Sequence, residues 1–183
     1  MIEVQNNKCW FRTFSGRVID PENLSPDNIN SIDIARSLSL QCRYAGQICR
    51  FYSVAEHSLL VRDIILKSKG ITHNTDIWLD NKVLLRALLH DASEAYISDI
   101  PTPFKRLLPG YYELEAKVMA VINERYGLEP SSYVDDMVKK ADKAVLDYEM
   151  PYLFNQVNHS EHIKCHDSNT AFSLYLNALL QYE

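Results

Sequence analysis

The segment Val83–His90 is apolar around almost its whole circumference. A helix with apolar side chains on every side has to be covered on every side, so this segment predicts a central, buried helix. Other stretches of the chain repeat apolar residues at intervals of three and four, the spacing of helices with one buried face. The chain is therefore predicted to fold as a helical bundle around this segment.

The ends of the other helices are marked by capping residues. Asp27 or Asn28 is expected to cap the first helix, and Ser53 the second, with Glu56 as its partner in a capping box. Gly70 is expected to end that second helix, and a polar loop to follow over residues 72–76. The remaining helical stretches are at about 111–126, 132–149 and 166–181.

The first part of the chain has a different pattern. Residues 1–27 are rich in turn signals and are expected to be irregular, although 12–18 could form an extended strand or a small hairpin. The length of 183 residues fits one domain, and no internal repeat or long linker divides it. The prediction is a single all-α domain over residues 1–183, with about six to seven helices.

Composition excludes several functional classes. The net charge is -5 and there is no basic stripe, which argues against binding to duplex nucleic acid. No apolar run approaches the roughly 20 residues of a membrane helix, and the N-terminus lacks the apolar core of a signal peptide. The four cysteines form no CxxC pair and are interpreted as free thiols in a reducing compartment. A cytoplasmic location is therefore expected.

The run His90-Asp91-Ala92-Ser93-Glu94, with Asp99 after it, indicates metal chemistry. Adjacent residues of a helix diverge by about 100°, so His90 and Asp91 can share an ion only at a helix end or kink. Glu94 follows at helical spacing and shares their face. A polar cluster at the end of a buried helix is costly unless its members are paired or bind a metal.

Two more residues complete a candidate ligand set. His57 lies on the apolar stripe of the Ser53 helix, and Asp142 occupies a similar position between Val138 and Val145. Two imidazoles and two carboxylates from three helices suit one divalent metal, such as Zn, Co, Mn, Ni or Fe(II), and leave positions open for water and substrate. Taken singly, each residue has an ordinary alternative: His57 as a core histidine, Asp142 as a surface aspartate, Glu94 as a solvated helix end.

In this order, His57, then His90-Asp91, then Asp142, the sequence resembles the HD-domain metal-dependent phosphohydrolases. The stretch from His90 to Glu94, followed by Ser98-Asp99-Ile100-Pro101-Thr102-Pro103-Phe104-Lys105, is similar to one subgroup of that family. This subgroup contains the bacterial 5'-deoxynucleotidases and the dATP triphosphohydrolases of phages that replace adenine by 2-aminoadenine. The similarity covers roughly residues 30–150.

The resemblance implies roles for further residues. Glu94 and Asp99 would position or activate the attacking water, and Lys105 of the Pro-Thr-Pro turn would lie near the substrate phosphate. Arg43-Tyr44 corresponds to an arginine–aromatic pair upstream of the first histidine, with tyrosine where tryptophan is usual. Arg50 competes with Arg43 for that role, and Lys105 could instead be a solvated residue at a helix start. Further substrate contacts are assigned to Gly46 and Pro103.

The resemblance therefore predicts a metal-dependent phosphohydrolase of deoxynucleotides. The most specific form of this prediction is a phage enzyme that converts dATP to deoxyadenosine and triphosphate. A further Mg on the phosphates and self-association into a homo-oligomer are also expected, with the host cytoplasm as location if the chain is viral. The alternatives are a 5'-deoxynucleotidase acting on dNMPs, a cyclic-nucleotide or alarmone hydrolase, and a nucleotide-binding module with a structural metal. His159, His162 and His166 are expected in a surface loop, although a second metal site there stays open.

Overall fold

The computed structural model describes residues 2–5, 8–69 and 77–183, and the side chains of residues 10–68 and 81–183. Within this part of the chain the structure is mostly helical, which confirms the all-α prediction. Three short strands precede eight α-helices, two of which have only four residues. The strands are β1 (Ile2–Gln5), β2 (Lys8–Arg12) and β3 (Val18–Ile19). The helices are α1 (Ser31–Leu40), α2 (Val54–Lys69), α3 (Ile77–Leu88), α4 (Glu94–Ile97), α5 (Thr102–Lys105), α6 (Tyr111–Arg125), α7 (Ser132–Leu153) and α8 (Ser168–Leu180).

The predicted central helix is α3. Its apolar side chains enter two neighbouring core clusters: Leu85 and Leu88 pack in one, and Val83, Leu84 and Ala87 in the other. The first cluster holds buried side chains of α1 and α8, and the second holds side chains of α2 and α7. The helix is thus covered on more than one side, as its all-round apolar surface requires.

The N-terminal segment is more regular than expected. In place of an irregular stretch over 1–27, β1, β2 and β3 form an antiparallel sheet in that order, and the predicted hairpin is its β2–β3 unit. Gly16, with φ of 85°, occupies the left-handed conformation in the hairpin turn. The buried Asp33 of α1 accepts hydrogen bonds from the Ser15 backbone N–H (2.6 Å) and hydroxyl (2.7 Å). A tertiary contact, invisible in local sequence, therefore holds this hairpin against the bundle.

The first helix begins later than predicted. Asn30, rather than Asp27 or Asn28, caps α1, and its side chain accepts from the Ile32 N–H at 2.8 Å. Pro26–Asn28 forms a separate short 3-10 turn, because Ser25 and Asn28 bond to each other across it. The predicted end of α2 at Gly70 and the loop at 72–76 lie outside the described residues.

The capping box predicted for α2 is only half present. The Ser53 hydroxyl accepts from the Glu56 N–H at 3.1 Å. The buried Glu56 carboxylate, however, turns to the segment before α8 and accepts three successive backbone N–H groups, from Lys164 (2.8 Å), Cys165 (2.9 Å) and His166 (2.7 Å). Glu56 thus fastens this segment to α2, because consecutive N–H groups in a concave backbone form a good anion site.

Among the described residues, no helix is long and apolar enough to cross a membrane. The cysteines whose side chains are described, Cys42, Cys49 and Cys165, are all free thiols.

The Glu56 contacts predict a large effect on stability. Glu56→Ala leaves three backbone donors without their carboxylate, so we expect the free energy of unfolding to fall by about 3 kcal/mol. Glu56→Gln keeps one carbonyl acceptor and should lose less. Urea unfolding followed by circular dichroism measures both. The control is Glu124→Ala on the exposed face of α6, which should change stability by less than about 0.5 kcal/mol; an equal loss in the control and Glu56→Ala would contradict the prediction.

Candidate metal centre and adjoining cleft

His57 lies in the buried face of α2, with no exposed surface. Its Nδ1 donates to Oε1 of Glu149 on α7, at 2.6 Å. Since the carboxylate can only accept, Nδ1 carries a proton, and Nε2 is the ring nitrogen that faces the site. This arrangement, in which a carboxylate orients a histidine, is common behind metal-binding histidines.

His90 and Asp91 lie in the turn after α3, which ends at Leu88. The prediction placed them in the last part of the helix, and the helix end solves the geometric problem of two adjacent ligands. The His90 Nδ1 donates to the Ala87 carbonyl at 2.8 Å, so its Nε2 also faces the site. The Asp91 Oδ2 lies 3.1 Å from this Nε2.

These ligand atoms converge on one point. The two Nε2 atoms of His57 and His90 are 3.3 Å apart, and the ligand atoms of His57, His90 and Asp91 all lie within 4.8 Å of one another. Two imidazole lone pairs that face each other repel unless a cation lies between them. A proton can partly take that place: burial would lower the pKa of His90, but the Asp91 carboxylate beside it raises the value to about 9. The group of three residues could therefore hold a metal ion, and its donor set suits a divalent one.

Asp142 of α7 lies next to this group. Its Oδ1 is 3.1 Å from His57 Nε2. Burial would raise the pKa of Asp142, but the contact with His57 lowers it. Asp142, whose side chain is partly exposed, therefore places a carboxylate beside His57, and no ion pair of Asp142 with a neighbouring lysine is found among the described residues.

Glu149 is a residue of the site that the sequence interpretation missed. Its side chain is fully buried, and besides His57 it accepts from the Tyr44 hydroxyl (2.5 Å) and lies 3.4 Å from Arg43 Nη2. Burial would raise the pKa of Glu149, but these three donors lower it to about 2. A signal was present in the sequence: Glu149 follows Asp142 by seven residues and continues the buried stripe of α7 with a charge.

A cleft of about 300 Å³ opens beside the metal group. Eight of the predicted site residues line it, and they come from segments far apart in the chain: Arg43, Tyr44, Asp91, Glu94, Asp99, Pro103, Lys105 and Asp142. The structure does not bring Gly46 to this cleft, since it lines a separate surface cavity with Cys49 and Phe154.

Glu94 is the first residue of α4 and is 4% exposed. Its Oε1 accepts from Lys105 Nζ at 3.0 Å, whereas its buried Oε2 has no hydrogen-bond partner among the residues that the structure describes. Burial, together with the negative charges of Asp91 and Asp99, raises the pKa of Glu94 to about 8. A carboxyl group with a free oxygen and a raised pKa in a cleft is well suited to accept and release protons.

Gln41, at the end of α1, positions the loop that carries Glu94 and Asp99. Its Nε2 donates to the Glu94 carbonyl at 2.9 Å, and its Oε1 accepts from the Asp99 N–H at 2.8 Å. Between them Ser98 takes a φ of 73°, which is strained for a residue with a Cβ atom. The amide of Gln41 thus holds both cleft carboxylates in place by their backbones.

The basic residues of the cleft are already paired. Lys105 Nζ contacts Glu94 and, at 3.0 Å, Oε1 of Glu115. Arg43 Nη1 lies 3.5 Å from Asp91 Oδ2. Arg50, the competitor for the role of Arg43, instead lies over the Tyr152 ring, 4.8 Å from its centre.

The three C-terminal histidines lie outside this cleft. His159 and His162 are exposed, and the His162 ring stacks on Tyr148 with centroids 4.5 Å apart. His166 donates its backbone N–H to Glu56. All three lie in the segment between α7 and α8, and within the described residues they do not form a metal-binding group.

Comparisons with known proteins place the chain in a family. No protein-family model matches it. It is 41% identical over 137 residues to the uncharacterized protein YfdR of Escherichia coli (strain K12), covering 75% of this chain and 68% of YfdR. It is 35% identical over 140 residues to an uncharacterized protein of Rhodobacter capsulatus, covering 75% of this chain and 67% of that protein.

The solved structures include a protein of similar fold. The crystal structure of the PH0347 protein from Pyrococcus horikoshii OT3 matches with a TM-score of 0.52 over 84% of this chain and 98% of PH0347. At 24% identity, this likeness concerns the fold alone. The identity to YfdR, extending over more than two thirds of both chains, shows that this chain belongs to the family of uncharacterized proteins that includes YfdR.

Proposed function

We propose that the protein is a metal-dependent phosphohydrolase that acts on deoxynucleotides. The observation that carries the proposal is the position of Glu94. The residue lines the same cleft as Asp91 of the metal group and the two basic residues Arg43 and Lys105, and its buried Oε2 has no hydrogen-bond partner among the described residues. A proton acceptor, a metal group and positive charge in one cleft are what phosphate ester hydrolysis requires.

The metal would be held by His57, His90 and Asp91, with Asp142 as the fourth ligand. When bound, a divalent ion of this kind polarises a phosphoryl oxygen and lowers the pKa of water. Both imidazoles are preorganised for it, because Glu149 and the Ala87 carbonyl hold the Nδ1 protons. The donor set suits Zn, Co, Mn, Ni or Fe(II), with Mg as a further candidate.

Glu94 is the proposed general base. Its carboxylate would accept the proton of the attacking water, and the contact of Lys105 with Oε1 would hold the carboxyl group in place. Asp99 lines the same cleft and would orient that water or protonate the leaving oxygen. Burial raises the pKa of Asp99, and Asp91 adds to this effect against the opposing charge of Arg43.

Arg43 and Lys105 would balance the phosphate charge. The planar guanidinium of Arg43 suits a bidentate grip on phosphate oxygens. Within the described part of the chain, the buried Arg43 Nε has no hydrogen-bond partner. The Tyr44 ring and Pro103 line the cleft beside it and would contact the sugar or base.

The resemblance to the 5'-deoxynucleotidase and dATP triphosphohydrolase subgroup makes dATP the first substrate to test and dNMPs the second. The test is incubation of the purified protein and Mn²⁺, Co²⁺ or Mg²⁺ with each dNTP, dNMP, cyclic nucleotide and guanosine alarmone, with products resolved by chromatography. Release of deoxyadenosine and triphosphate from dATP supports the sharper form, and phosphate from dNMPs supports a nucleotidase. No hydrolysis of any of these compounds would overturn the proposal.

Metal binding should depend on the converging residues. We expect about one Mn²⁺ or Co²⁺ per chain in the wild-type protein, and loss of this binding in His90→Ala and Asp91→Asn, because each removes a ligand atom. Isothermal titration after chelator treatment measures it. His159→Ala, an exposed histidine outside the site, is the control and should bind metal as the wild type does. Equal binding by His90→Ala would refute the proposed centre.

Glu94→Gln separates an enzyme from a binding module with a structural metal. We expect kcat to fall about 10²- to 10⁴-fold, because the amide cannot accept the water proton. Metal content and melting temperature should be retained, since Glu94 is not a ligand and the amide keeps the shape. Steady-state kinetics on the best substrate measures the loss, with the exposed Glu113→Gln of α6 as control. Full activity of Glu94→Gln would remove Glu94 from the mechanism.

A further inference from the structure

Glu149 joins two parts of the molecule that are distant in sequence. One carboxylate oxygen accepts from His57 Nδ1 of α2 at 2.6 Å, and the other accepts from the Tyr44 hydroxyl at 2.5 Å. Arg43 Nη2 lies 3.4 Å from this second oxygen. The side chain is fully buried, so these groups are its surroundings in place of water.

The loop on the far side of Glu149 is strained. Tyr44, Ala45 and Gly46 have φ values of 57°, 51° and 72°, three consecutive residues in the left-handed region. Glycine adopts this conformation freely, but residues with a Cβ atom adopt it at an energetic cost, and only where the surroundings hold them. The Tyr44 side chain is held by Glu149 and by edge-on packing on Phe154, 5.3 Å between ring centres.

We infer that Glu149 is a positioning residue that couples metal binding at His57 to the order of the substrate loop Arg43–Gly46. The inference rests on the proposed metal centre and adds one connection to it, which runs from His57 through Glu149 to Tyr44 and Arg43. With a metal bound, the His57 ring would be held in place, and with it the Glu149 carboxylate that accepts from Tyr44 and lies beside Arg43.

Charge strengthens this link. Arg43 also lies 3.5 Å from Asp91, one of the proposed ligands. A cation at Asp91 repels the Arg43 guanidinium, and Glu149 is then the buried carboxylate that keeps it at the cleft. Coupling between two sites is reciprocal, so the loop contacts should strengthen metal binding by the factor by which metal orders the loop.

The test compares two variants with matched controls. Glu149→Gln removes the charge at almost constant shape, and Asp147→Asn makes the equivalent change at an exposed position of the same helix. Tyr44→Phe removes only the loop contact, and Tyr133→Phe is its control at the exposed start of α7. For each protein, Mn²⁺ affinity is measured by titration, the Co²⁺ site by visible absorption, and hydrogen exchange of the 42–50 segment by mass spectrometry with and without Mn²⁺.

In the wild-type protein and both controls, Mn²⁺ should slow exchange in the 42–50 segment. Glu149→Gln should lower Mn²⁺ affinity about 10- to 100-fold, shift the Co²⁺ bands, and show fast loop exchange that Mn²⁺ no longer slows. Tyr44→Phe should weaken the exchange response to Mn²⁺ and lower affinity by at most about fivefold, since one hydrogen bond is lost. A purely structural role would lower the melting temperature and leave the Co²⁺ bands unchanged.

The failures can be told apart. If the wild-type protein binds neither Mn²⁺ nor Co²⁺, both the proposed metal centre and the proposed coupling are wrong. If the wild-type protein binds metal but Glu149→Gln binds it equally well, the coupling is wrong and the proposed metal centre is retained. The same conclusion follows if Mn²⁺ leaves hydrogen exchange of the wild-type loop unchanged. If Glu149→Gln does not fold, Tyr44→Phe decides: an undiminished exchange response to Mn²⁺ overturns the inference.

Discussion

The approach of the two histidine Nε2 atoms to 3.3 Å is the contact on which the rest of the site depends. Two ring nitrogens that carry lone pairs cannot rest so close without a positive charge between them. Each ring is held there from behind, His57 by Glu149 and His90 by the Ala87 carbonyl. The fold therefore supplies the orientation of both rings, and a cation would supply the attraction.

Burial gives this arrangement its chemical consequences. Burial disfavours the charged form of Glu94 and raises its pKa to about 8. The pKa of the fully buried Glu149, in contrast, is lowered to about 2. The difference comes from their partners. Glu149 faces His57, Arg43 and Tyr44, whereas Glu94 has the carboxylates of Asp91 and Asp99 nearby and one cation, Lys105. The two buried glutamates therefore have opposite pKa shifts because their partners differ.

The end of α3 and the start of α4 determine where the candidate site residues lie. Because α3 stops at Leu88, His90 and Asp91 sit in a turn where two adjacent side chains can converge. Because α4 starts at Glu94, the cleft carboxylate is fixed at a helix start and is held through its backbone by Gln41. The long α7 contributes Asp142 and Glu149 from one face, so a single helix provides both carboxylates that contact His57.

The sequence by itself determined the helical class, the buried central helix, and the convergence of His57, His90, Asp91 and Asp142, because helical periodicity shows which residues face inward. The resemblance to the HD-domain phosphohydrolases, rather than periodicity, indicated most of the residues that line the cleft. Only the tertiary structure decided the partners: Glu56 bonding to the 164–166 backbone, Asp33 to the hairpin, Glu149 to His57 and Tyr44, Gln41 to the 94–99 loop. These are contacts between segments distant along the chain, and periodicity within one segment cannot specify which polar group on another will meet it. A buried carboxylate is stable only with such partners, so its role was settled when the helices packed.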